Sequence, residues 1–113
     1  MKKLEINIPI YDQKVTVLYA EKLETVDNYL KDYFRVEFDT DPAQARCYIM
    51  PGKELFIGLQ KDVKNKYLVH ETGHLVFELL NKIGINPTSD QETFCYIQEY
   101  LFEKTSQFLK LND

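Results

Sequence analysis

The sequence predicts an α+β fold, with a mostly antiparallel sheet and one helix first, then two adjacent helices. Three observations carry this. Apolar and polar residues alternate in several short stretches before residue 60. From about residue 62 the apolar residues recur instead at spacings of three and four. Gly84 and Pro87 then interrupt that second regime once, dividing it into two helical runs. Strands gathered at one end and helices at the other are the pattern of α+β rather than alternating α/β architecture.

Taken in order, Leu4, Ile6, Ile8 and Ile10 alternate with polar residues and read as a half-buried strand, closed by a turn at Tyr11-Asp12-Gln13. Lys14 to Ala20 reads as its hairpin partner, with Val15, Val17 and Tyr19 on one face. Leu23, Val26, Leu30 and Tyr33 follow at helical spacing and predict an amphipathic helix over 21–33. Val36 and Phe38 restore the alternation and predict a third strand over 35–40, ended by Asp41-Pro42. Arg46 to Met50 and Glu54 to Leu59 flank the turn signal Pro51-Gly52-Lys53 and complete a set of five strands. A helix then runs from an N-cap at Asp62 through Leu68, Val69, Leu75, Val76, Leu79, Leu80 and Ile83 to a stop at Gly84. A last helix runs from Thr88 or Ser89 to Leu109 with a stripe of Phe94, Ile97, Leu101 and Phe108.

Bulk properties narrow the function classes. A chain of 113 residues, 44% hydrophobic and 28% charged, fits one domain with one core. Its net charge of -4 and scattered lysines give no basic stripe, so no nucleic-acid partner is expected. The N-terminal residues alternate in polarity where a signal peptide needs an unbroken apolar run, and nothing approaches the roughly 20 apolar residues of a membrane span. Cys47 and Cys95 read as reduced thiols, and a cytoplasmic protein, monomeric or a small homo-oligomer, is the expectation.

Chemistry concentrates at His70-Glu71-Thr72-Gly73-His74, an H-E-x-x-H pattern holding both histidines of the chain. Residues four apart on a helix are turned by about 40° and separated by about 6 Å, so two imidazoles can grip one metal ion from the same side. Glu71 stands one step round, placed to hold and deprotonate a water. Zinc is the expected ion, and a catalytic zinc takes three protein ligands and leaves one position open. With no third histidine, the third ligand is expected on the neighbouring helix. Glu92 is the first choice, with Asp90, Cys95 and Glu99 as alternatives. Ser89-x-x-Glu92 is also a capping box, which would occupy Glu92, but Thr88-x-x-Gln91 is another one residue earlier, which would free it. Tyr96, one turn after Glu92, is the expected donor to a developing oxyanion, ahead of Tyr100 and Tyr67. Gly73, costly in mid-helix, points to another element or a ligand approaching closely. The strand over 54–59 would accept an extended peptide by strand addition if it lay at a sheet edge.

The run Val69-His70-Glu71-Thr72-Gly73-His74, the apolar Leu75 to Leu80, the short break, and Asp90-Gln91-Glu92 opening a helix with Tyr96 together resemble small zincin-like proteins of bacteriophages and prophages. More broadly they are similar to gluzincins. The resemblance implies His70, His74 and Glu92 as zinc ligands, Glu71 as catalytic base, and a strand-rich N-terminal half packed on the motif helix. Two functions follow as expectations: a zinc metallopeptidase acting on a peptide or protein substrate, or a catalytically inactive module of the same fold that acts by binding a partner.

Overall fold

A computed structural model describes residues 1–113. Its elements are β1 (Lys2–Ile8), β2 (Gln13–Ala20), α1 (Leu23–Phe34), β3 (Ala45–Ile49), β4 (Leu55–Gln60), α2 (Asn65–Lys82) and α3 (Gln91–Asn112). The strands form one sheet in the order β1-β2-β4-β3. Two pairings are antiparallel, β1 with β2 and β3 with β4, and the central pairing of β2 with β4 is parallel. The sheet is therefore mixed, because a helix and a return segment separate β2 from the second hairpin. No helix is long and apolar enough to cross a membrane.

Strand periodicity divides the core into two layers. Val15, Val17 and Tyr19 of β2, with Ile6, Ile8, Leu55, Ile57 and Leu59, face α2 and α3. Leu18 and Ala20, with Tyr48 and Met50, face α1 through Leu23, Val26 and Leu30. β2 is thus covered on both faces, and its last six residues are all buried. Gly58 lets α1 come close: a Cβ there would lie 2.8 Å from the Tyr48 ring and 2.9 Å from Val26 Cγ1.

Two sequence expectations fail on this side of the sheet. The chain has four strands, not five, since residues 36–44 form no ladder. Arg35 ends α1 in the left-handed region, and the segment after it must travel back along the sheet so that β3 can pair antiparallel with β4. Val36 and Phe38 do pack on the α1 layer, as their alternation suggests, with Phe38 edge-on to Tyr48 at 5.8 Å. Burial alone supplies that alternation, without a pairing partner. Tyr33, expected in the helix core, is 69% exposed and stacks on Tyr29. The helix instead buries an acid, Asp27, which is only 5% exposed. Asp27 accepts from Arg46 Nε at 3.0 Å and from the Tyr48 hydroxyl, so the buried carboxylate is compensated. Burial, and next the hydrogen bond to Asp27, pushes the Tyr48 hydroxyl well above its usual range.

At the other end, α2 begins at Asn65 rather than at an Asp62 cap; Asp62 sits in a turn at φ 61°. Its C-terminus behaves as expected. Gly84 adopts φ 80°, and the Gly84 and Ile85 amides close on the carbonyls of Asn81 and Leu80, a Schellman ending. α3 starts at Gln91, with Asp90 as N-cap accepting from the Thr93 amide at 3.1 Å. Replacing Asp27 with Ala strands the Arg46 guanidinium beside the core. Chemical denaturation should show a loss of about 3 kcal/mol, whereas Tyr33→Ala on the exposed face should cost under about 0.5 kcal/mol.

Candidate metal centre

α2 lies with its apolar face on the sheet. Leu68, Thr72, Leu75, Val76, Leu79 and Leu80 are buried, and the Thr72 hydroxyl is satisfied by donating to the carbonyls of Leu68 and Val69, both at 2.9 Å. Val69, expected in that face, is 45% exposed, because α3 covers only part of that flank. With the core side so defined, His70 and His74 project on the opposite, solvent side.

The two Nε2 atoms lie 3.0 Å apart, with ring centroids at 4.6 Å and planes at 78°. Two nitrogens held at 2.0–2.1 Å from a tetrahedral ion stand about 3.3 Å apart, so the pair fits a shared zinc to within a few tenths of an ångström. Without an ion the same spacing is an N–H···N hydrogen bond between opposite tautomers. Glu71 completes a group whose ligand atoms all lie within 4.8 Å of one another. Its carboxylate is half-buried on the β3 flank, and Oε2 is buried with no hydrogen-bond partner. A buried carboxylate oxygen without a donor is costly, and a cation or a proton-bearing group at this spot would relieve it. The donor set therefore fits a divalent ion.

The other expected residues are placed less closely. Glu92, in the first turn of α3, is exposed and stands outside that group of three. Neither capping box forms. Asp90 caps the helix, Gln91 reaches back to the Thr88 carbonyl, and Glu92 is left out of the capping altogether. Asp90 is committed as the cap, and Cys95 and Glu99 are exposed on α3. Tyr96 is 51% exposed. Tyr100 and Tyr67 sit under the ammonium groups of Lys104 and Lys66 at 5.6 and 5.1 Å. Among the five principal clefts of the surface, none is lined by His70, Glu71 or His74. The pair stands exposed on the outer face of α2.

Two neighbours of the site come only from the tertiary structure. Gln98 of α3 donates to the Val69 carbonyl at 3.4 Å, and its Nε2 would lie 3.3 Å from a Cβ at Gly73, so the mid-helix glycine admits that amide. Cys47 of β3 lies on the Glu71 side. Burial, and after it the charges of Glu71 and Glu78, push its thiol up to about 12. β4, considered as a docking edge, is interior and paired on both sides; β3 is the edge strand packed beside α2.

Comparison with protein families, curated proteins and solved structures finds no match to this chain. The raised Cys47 thiol gives a direct check: at pH 8 a thiol-alkylating reagent should label exposed Cys95 and leave Cys47 intact until denaturant is added, as read by peptide mass mapping.

Proposed function

We propose that this protein is a zinc-dependent peptidase of the gluzincin kind, with His70 and His74 as metal ligands and Glu71 as general base. The observation that supports it most is the 3.0 Å approach of the two Nε2 atoms, with a Glu71 carboxylate oxygen within 4.8 Å of them. The sequence resemblance to small phage and prophage zincin-like proteins supports it further. The third ligand is assigned, from the sequence resemblance, to Glu92, an exposed carboxylate not used in capping that stands outside the His70–Glu71–His74 group.

Zinc bound there would supply a Lewis acid and a water acidic enough to react near neutral pH. His70 and His74, on one helix with their Nε2 atoms 3.0 Å apart, would hold the ion. Glu71 takes a proton from the attacking water and delivers it to the leaving amine nitrogen. Tyr96 is assigned as a hydroxyl donor to the carbonyl oxygen as charge develops on it. Peptides or proteins are the substrates in this reading. The two free thiols, Cys47 and Cys95, fit a cytoplasmic setting.

One observation favours a second reading. The histidine ridge is open and lines none of the principal clefts, which suits a metal-stabilised module that acts by contact rather than turnover. Glu71→Gln separates the two. In the enzyme it should lower peptide hydrolysis by about 100-fold or more while zinc content by elemental analysis is unchanged; no hydrolysis in the zinc-loaded parent protein favours the module, and hydrolysis unchanged by the substitution overturns Glu71 as the base. Both readings require that zinc at 100 times its dissociation constant stabilise the fold by about 2.7 kcal/mol, a rise in Tm of roughly 10 °C that chelation reverses.

A further inference from the structure

The solvent side of α2 carries a pattern wider than the histidine pair that both readings use. Tyr67, His70, His74, Phe77 and Asn81 are spaced by three, four, three and four residues, and all five are exposed. This is the spacing by which a helix presents a seam to a second helix, yet the helix's own core contacts lie on its opposite face. Tyr67 and Phe77 hold large rings in water, 39% and 52% exposed, one on either side of the imidazole pair. None of the five is an acid, a lysine or an arginine.

The imidazole pair is also half of a closed coordination sphere. A structural zinc takes four protein ligands, and one chain offers two nitrogens on this ridge. A single two-fold operation supplies the other two from an identical helix and places the aromatic residues of each copy on the same seam. The flanks are complementary as well. Lys66 borders the seam on one side and Glu71 on the other, five positions on, the offset at which parallel helices exchange opposite charges.

We propose that α2 docks against α2 of a second copy of this chain, with His70 and His74 of both copies holding one zinc ion between them. The proposal rests on the metal-binding part of the reading above and not on hydrolysis. Four imidazoles leave no open position for water, so the dimer is the hydrolytically silent form of the same site, in equilibrium with a monomer in which the position is free.

The test is sedimentation velocity with native mass spectrometry on the full chain, stripped of metal and then titrated with zinc chloride. The expected result is a monomer without zinc and a species of twice the mass with one zinc per two chains, reversed by chelation. His70→Ala and His74→Ala should each abolish the dimer. Phe77→Lys, which keeps both histidines, should weaken dimerisation at least tenfold while zinc is still taken up. All three positions are exposed, and circular dichroism checks that each variant keeps its helix content. One zinc per chain with no change of mass would overturn the dimer and leave the metal site standing. A dimer that forms equally without zinc, or in His70→Ala, would also overturn it. Failure to take up zinc at all removes the dimer and the metal reading together.

Discussion

The packing of α2 on the sheet is the constraint from which the rest of the site follows. Leu68, Leu75, Val76, Leu79 and Leu80 are fully buried against strand residues such as Val17, Ile57 and Leu59. At roughly 1.5–3 kcal/mol for each buried aliphatic side chain, rotating the helix to bring its histidines inward would cost on the order of 10 kcal/mol. Nothing that two exposed imidazoles do in the absence of a metal compares with that. The ridge therefore faces out because the leucines face in. Glu71, one residue from His70, falls on the boundary between the two and is left half-buried.

That boundary position gives Glu71 its unusual surroundings. One side of its carboxylate is shared with the histidine pair, and the other faces β3, where its charge helps keep the Cys47 thiol protonated. A carboxylate with one oxygen buried and unpartnered is a poor contributor to stability. Residues that break local rules in this way tend to mark functional sites, where the stability lost is tolerated for the chemistry it allows. On the other face of the sheet the buried acid behaves differently. Asp27 is met by Arg46 and Tyr48 and is fully engaged. Of these two carboxylates, the one on α1 is fully engaged and the one on α2 keeps an unpartnered oxygen.

Much of this was legible in the residues themselves. The two long helices and both flanking hairpins are written in the apolar spacing, and the Gly84 ending is read directly from the one residue type that adopts its dihedral without strain. The extra strand over 35–40 shows the limit of that reading. Val36 and Phe38 alternate because one side meets the α1 layer, and periodicity reports burial without reporting whether a neighbouring backbone is there to pair. Tyr33 departs from its expected role for a related reason: a tyrosine at a helical spacing is free to stay wet, while an acid such as Asp27 is buried when Arg46, nineteen residues later, arrives to compensate it.

For the candidate centre, the sequence by itself determined the local part: two imidazoles and a carboxylate within five residues of one helix, because helical geometry sets neighbours three and four apart whatever surrounds them. Only the tertiary structure decided what stands beyond that helix. It put Glu92 on an exposed turn outside the group, brought Gln98 against Gly73 and Cys47 beside Glu71, and left the histidines on an exposed helix face. Those relations depend on how α3 and β3 pack against α2. Such packing is governed by the shapes of buried side chains distant in sequence, which no local spacing encodes.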